Sequence, residues 1–273
     1  ISKMQDAGVK IDLEVLSKLS TEYHTELTRL EKAIYDKAGI EFNINSPKQM
    51  ADVLFEKMGL TYKGMRKTST GKYSTKEEVL EKLAEEHEIA NQILEYREFQ
   101  KLLSTYIDAL PSAVGEDGRI HAKFLQNGTT TGRLSSQNPN LQNIPVGTEK
   151  GKKIREAFIA DKGCKLLALD YSQIELRIAA FLSGDEKLIS AFKNGVDIHT
   201  AVASQIFDVA PEMVEKEMRR RAKVINFGIL YGMGVSALQK NLGTERKTAQ
   251  EFYNKYFEKY PGLARYMENT KAE

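Results

Sequence analysis

The chain has 273 residues, 41% of them hydrophobic and 29% charged, and a formal net charge of +2. That composition excludes disordered and fibrous classes, and the length suits one large domain or two to three small ones. One cysteine, Cys164, excludes an internal disulfide and a thiolate zinc cage; with no run of about 18 apolar residues, no membrane span, no secretory leader and a cytoplasmic, reducing setting are expected.

The chain opens on Ile1, and its last stretch, Tyr266 to Glu273, still reads as helix, so a fragment is expected. Leu13, Leu16, Leu19, Tyr23, Leu27, Leu30 and Ile34 recur at three- and four-residue steps and predict a first helix stopped at Gly39. Ser46-Pro47-Lys48-Gln49 predicts a capped second helix running to about Met58. A polar loop over 63–75 carries Lys63, Arg66, Lys67 and Lys72. Thr75-Lys76-Glu77-Glu78 then caps a long helix ending near Pro111. Ile120, Ala122 and Phe124 alternate as in a strand. Residues 128–145 are mostly loop by their Gly, Thr, Ser, Asn and Pro. Ala157–Ala160 and Leu166–Leu169 read as buried strands, and helix returns after Asp170 through Ile174, Leu176, Ile178, Phe181 and Leu182. The rest is helical, punctuated by Gly184, Gly195, Pro211 and Gly243. No internal repeat is present.

Charge is unevenly placed. Arg119 to Ile159 holds seven Lys/Arg against Glu149 and Glu156, and Lys216 to Lys223 holds five against Glu217. Such clusters suggest a specific anionic ligand, although charge alone favours a solvated charged face. In the second cluster, Arg219, Lys223, Phe227 and Tyr231 fall four apart and share one helix face. Two cations followed by two rings match the length of a nucleoside triphosphate; the alternative is an amphipathic helix with core aromatics. Asp170, directly after an apolar run, could hold Mg²⁺ with substrate phosphates or could simply cap the next helix. Thr129 to Pro145 is dense in hydroxyls and amides that can meet phosphate, sugar or minor-groove acceptors, or can make an ordinary polar loop. The scattered histidines His24, His87, His121 and His199 make no metal-binding pair, so any metal should be a hard ion held by oxygen. Gly147–Lys152 is one residue short of a phosphate loop, and Gly228, Gly232 and Gly234 do not form a dinucleotide fingerprint.

Taken together, three segments resemble the family A DNA polymerases, the group of bacterial DNA polymerase I. They are Arg219-x-x-x-Lys223-x-x-x-Phe227-Gly228-x-x-Tyr231-Gly232, then Asp170-Tyr171-Ser172-Gln173-Ile174-Glu175-Leu176-Arg177, and the loop Thr131–Ser136 with Asn140–Pro145. Asp197-Ile198-His199-Thr200 also matches, and the likeness runs in order along nearly the whole chain. The resemblance implies an α+β fold, with mostly helical thumb and fingers arms around a partial antiparallel palm sheet. It assigns 1–113 to a thumb-like arm, 114–177 to a partial palm and 178–273 to partial fingers. The implied activity is template-directed DNA synthesis by two-metal catalysis, with primer–template DNA and deoxynucleoside triphosphates as partners, two Mg²⁺ ions and a monomeric state.

The resemblance also implies residue roles. Asp170, with the carbonyl of Tyr171, would bind metal. Gln173, His199, Arg219 and Lys223 would meet the triphosphate, Lys223 near the reacting phosphate. Phe227 would pack on base and sugar, Tyr231 would close the site, and Glu175 would exclude a ribose 2′-hydroxyl. Arg133, Asn140, Gln142 and Asn143 would hold the primer–template, with Arg97 and Lys101 on the duplex backbone. The family's second metal-binding aspartate lies in a His-Asp-Glu turn, and no His-Asp pair occurs in this sequence. The chain alone is therefore expected to be inactive. The rival expectations are a non-catalytic primer–template-binding module and a related single-subunit RNA polymerase.

Overall fold

The computed structural model describes every residue except Lys63, Arg66, Ser69, Thr70, Lys72 and Glu273, so much of the polar loop expected over 63–75 lies outside the described residues. The chain forms two compact units, 1–167 and 168–273.

The first unit begins with α1 (Ser2–Ala7) and β1 (Val9–Ile11), neither predicted from sequence. Asp12 caps α2 (Leu13–Ala38) by accepting from the N–H groups of Glu14 and Val15, and Gly39 ends it in the left-handed region, as expected. Leu16, Leu19, Tyr23, Leu30 and Ile34 form its buried stripe. Ser46 caps α3 (Pro47–Ala51), but the helix then widens into a π-type turn over Asp52–Lys57. The single long helix expected from Thr75 is instead α4 (Glu77–Ala84), a break, α5 (Glu88–Leu102) and a second π-type turn over Leu103–Ile107. The break follows the apolar pattern. Leu80 and Leu83 enter the core from α4, and Ile89, Ala90 and Ile93 from α5, while Glu85, Glu86 and His87 between them offer no apolar surface. Nor does Thr75 cap α4: it is buried, and its carbonyl accepts from Arg97.

The alternation at Ile120, Ala122 and Phe124 divides between two sheets. β2 (Arg119–Ile120) flanks β1, and β3 (Lys123–Leu125) pairs with β4 (Ser135–Gln137), a strand within the expected loop. β1 is central and antiparallel to both neighbours, with Val9 opposite Ile120 and Ile11 opposite Phe158 of β5 (Phe158–Ile159). His121 marks the crossing between the sheets. Its Nδ1 lies 2.8 Å from the Gln5 carbonyl and its Nε2 3.0 Å from the Asp117 carboxylate. Gly8 approaches this ring at φ 59°, where a Cβ would lie 2.8 Å from it, so glycine is required. Thr148 caps α6 (Glu149–Arg155) ahead of β5.

The expected strand over Leu166–Leu169 does not form, and Leu166, Leu167 and Leu169 are 63%, 80% and 86% exposed. Apolar composition supplies no ladder by itself; a strand needs a partner, and among the described residues none pairs there.

The second unit is helical: α7 (Ile174–Ser183), α8 (Glu186–Lys193), α9 (Ile198–Phe207), α10 (Lys216–Leu230), α11 (Val235–Leu242), α12 (Arg246–Lys259) and α13 (Pro261–Ala272). Leu176, Leu188, Val202, Ile225, Tyr256 and Leu263 lie in its core. Asp185 is buried at a junction of two helix starts. One carboxylate oxygen caps α8 at the Leu188 N–H, and the other accepts from the Gly262 and Leu263 N–H groups of α13. A Cβ on Gly262 would lie 2.8 Å from the Asp185 backbone, so this bracket also depends on a glycine. Mostly helical units with small antiparallel sheets make the chain α+β, as expected.

Candidate nucleotide and nucleic-acid site

α10 places Lys223 and Phe227 on one face, with the Lys223 ammonium 6.0 Å from the Phe227 ring. Tyr231 follows one residue beyond the helix, its ring stacked 6.4 Å from Phe227 and 66% exposed. The core-aromatic alternative therefore fails for Tyr231, which faces solvent. The cations of α10 differ in commitment. Arg219 donates to Asp197 at 2.7 Å, Arg220 pairs with Glu217, and Arg221 lies over the Phe207 ring. Lys223 makes no ion pair among the described residues.

α9 supplies the other wall. Asp197 uses Oδ1 to cap α9 at the N–H groups of His199 and Thr200, and Oδ2 to hold Arg219. Burial pushes the Asp197 carboxyl up, but the bonds from Arg219, Thr200 and His199 outweigh it, and its pKa falls below the ordinary value. His199 is buried, its ring 5.6 Å from Phe227 and its Nδ1 3.1 Å from the side-chain nitrogen of the wholly buried Asn226. Burial holds the His199 pKa down; Asp197 opposes this and the Arg219 and Lys223 charges add to it, so the ring is neutral at neutral pH. Sequence reasoning missed Asn226. The visible signal was its place one turn beyond Ala222 on the inward side of the helix.

Asp170 is exposed and is not the cap of α7, since that position belongs to Gln173, in the left-handed region at φ 53°. Glu175 is half-buried in the first turn of α7. Tyr171 is exposed, and Oε1 of Gln173 is buried without a partner among the described residues. Among the described residues, no hydrogen bond or ring contact joins Asp170, Tyr171 or Gln173 to the α9–α10 cluster. The Asp170 carboxylate and Tyr171 carbonyl are hard oxygen donors of the kind Mg²⁺ takes. Yet no group of three or more His, Cys, Asp or Glu able to hold a metal occurs among the described residues. Those two donors by themselves fall short of a metal site.

In the first unit the implied nucleic-acid contacts turn largely inward. The Asn140 side-chain oxygen accepts from the Ser136 hydroxyl and the Gln142 N–H, capping the turn at Leu141–Asn143. The Gln142 amide donates to the Leu134 carbonyl, and Tyr106 donates to the Asn143 carbonyl. Arg133 lies exposed in the same loop. Arg97 is half-buried and donates to the Thr75 carbonyl at 2.6 Å, while Lys101 on the same helix is exposed. A cavity of about 750 Å³ includes Arg97, Lys101, Glu95 and Glu98 in its lining. In the basic run after Gly147, Lys150 pairs with Glu95 and Glu98, Lys152 with Glu149 and Lys153 with Glu22, which compensates most of its charge.

The fold is that of a solved polymerase domain. The polymerase domain of Pol1 from M. smegmatis, solved in complex with DNA primer-template and dNTP, superposes at a TM-score of 0.87 with 38% identity, over 98% of this chain and 47% of that one. Residues 13–273 match the model of DNA polymerase family A, and the chain belongs to that family. It is 48% identical over its whole length to DNA polymerase I of Lactococcus lactis and 49% identical over 98% of its length to that of Caldicellulosiruptor bescii. Identity to the thermostable DNA polymerase I of Thermus thermophilus is 48% over the whole chain. The chain spans 31% of the first two relatives and 33% of the third. No described helix is long and apolar enough to cross a membrane.

Proposed function

We propose that this chain serves template-directed DNA synthesis, with α10 gripping the incoming deoxynucleoside triphosphate and the first unit holding primer–template. The observation that carries the reading is the α10 face: Lys223, Phe227 and Tyr231 follow one another in contact range, with Tyr231 open to solvent. Arg219 and Lys223 answer the phosphates, and the two rings answer sugar and base. Positive charge fixed on a helix, where negative charge develops on the phosphates, needs no rearrangement at the moment of reaction. Glu175 stands as the gate against a ribose 2′-hydroxyl, and Gln173 and His199 as further triphosphate contacts. Asp170 and Tyr171 are the proposed share of a Mg²⁺ site. On the same reading, 1–113 is the thumb-like arm, 114–177 the palm portion and 178–273 the fingers portion. Arg133, Asn140, Gln142, Asn143, Arg97 and Lys101 are the proposed side of the primer–template.

The test is titration of the purified chain with a fluorescent deoxynucleoside triphosphate. Lys223→Ala should weaken binding about ten-fold, the scale of a hydrogen bond to a charged group. Equal affinity for wild type and Lys223→Ala would remove the phosphate role. A primer-extension assay supplies the second arm. Because no group of three or more possible metal ligands occurs among the described residues, no extension above an Asp170→Ala control is expected, while weak primer–template binding should persist and fall with salt. Extension above that control would refute the requirement for further donors.

A further inference from the structure

Asn226 is wholly buried, and among the described residues its side chain meets one polar partner, Nδ1 of His199, at 3.1 Å, while its Oδ1 has none. A neutral imidazole carries its proton on one nitrogen only, and the partner of Nδ1 decides which. An amide can turn either end toward that nitrogen. With the NH₂ group turned to Nδ1, the group left without a partner is a single acceptor oxygen. Turned over, a buried NH₂ with two donors would be stranded instead. Buried carbonyl oxygens go short of partners more readily than buried N–H groups, so the first orientation is favoured. Nδ1 is then the bare nitrogen. Among the described residues Nε2 has no hydrogen-bond partner, so the proton it carries remains available.

We infer that Asn226 is a positioning residue that fixes His199 in the Nε2–H tautomer and so makes the ring a fixed hydrogen-bond donor for an anionic ligand. The ring's surroundings agree with this assignment. Asp197 lies two residues before it in the cap of α9, and Arg219 and Lys223 approach from α10, a setting in which a donor on the remaining nitrogen is useful to a polyanion. The identity of that polyanion as a triphosphate rests on the function proposed above. The tautomer itself does not.

The experiment uses the full chain labelled with ¹⁵N at histidine, with long-range proton–nitrogen correlation at neutral pH and His199→Gln to assign the signal. In wild type, His199 should be protonated at Nε2. In Asn226→Asp the carboxylate can only accept, so a proton should appear on Nδ1. The same substitution should weaken triphosphate binding about ten-fold, as misdirecting a hydrogen bond to a charged ligand would. A wild-type signal showing Nδ1–H would overturn the assignment, as would the same tautomer in wild type and Asn226→Asp. Should Asn226→Asp fail to fold, the wild-type spectrum alone decides. An Nε2–H signal combined with unchanged triphosphate affinity in His199→Ala would uphold the tautomer and remove the triphosphate reading.

Discussion

The two units place their polar groups in opposite ways. In the loop of the first unit, Asn140, Gln142 and Ser136 spend their side chains on the loop itself, and Tyr106 holds the Asn143 carbonyl from below. On α10 of the second unit, Lys223 has no ion-pair partner among the described residues and Tyr231 stands in solvent. A surface that must present a fixed contour to a long ligand gains from internal hydrogen bonds, because the conformational cost is met before binding. A site that must answer concentrated charge keeps Lys223, though not Arg219, uncommitted. The difference also separates shape from chemistry: damage to the first region should register as lost order, and damage to the second as lost affinity.

The largest effect is expected where the second unit does turn a polar group inward. Asp185→Ala strips the caps from α8 and α13 and strands buried N–H groups, at a cost of about 2–4 kcal/mol. Urea unfolding followed by near-ultraviolet circular dichroism of Tyr256 and Tyr260 reads it. A loss within about 0.5 kcal/mol, typical of surface changes, would show the bracket to be dispensable. Next comes Ser136→Ala. It removes one buried hydroxyl that donates to Asn140 and accepts from the Leu141 N–H, a local loss of about 1–3 kcal/mol. Amide exchange at Leu141 should quicken, and unchanged exchange would mean that the loop does not hold its own shape.

A smaller and reversible effect is expected at His121. The bond to the Gln5 carbonyl, and then that to Asp117, raises its pKa above the ordinary histidine value. The protonated ring can donate to both, so its tether on α1 is complete below the ordinary histidine range and is lost as pH rises through the raised pKa. Protection of the Ser2–Ala7 amides, measured relative to their base-catalysed intrinsic exchange, should therefore fall on the alkaline side, and pH-independent protection would dismiss the tether. Lys223→Ala should have the least effect on stability, within about 0.5 kcal/mol. A clear loss of stability there would dissolve the contrast between the two regions.

Much of this was legible in sequence, for reasons that differ residue by residue. α2 was readable because its apolar spacing and its closing Gly39 agree, whereas its cap, Asp12, emerged only in the structure. The α10 face was readable because a four-residue step is a local property of one helix. What escaped was nonlocal. The apolar run at Leu166–Leu169 resembles a strand, but pairing depends on a partner that periodicity does not reveal. The Ile120–Phe124 alternation was real, yet His121 sits where the chain passes from one sheet to another, and no spacing rule marks that point. Asp185 and Asn226 act through residues 77 and 27 positions away, beyond any window-based reading.

Asp197 carries one last consequence. Its two oxygens are already engaged, one with the start of α9 and the other with Arg219. A polyanion that takes Arg219 from Asp197 displaces a carboxylate instead of meeting a bare cation, and its binding there is then an anion exchange. Exchange neutralises one fewer charge than simple addition. The affinity of such a ligand should thus depend on ionic strength less steeply than the cations of α10 would suggest, and Asp197→Asn should steepen that dependence.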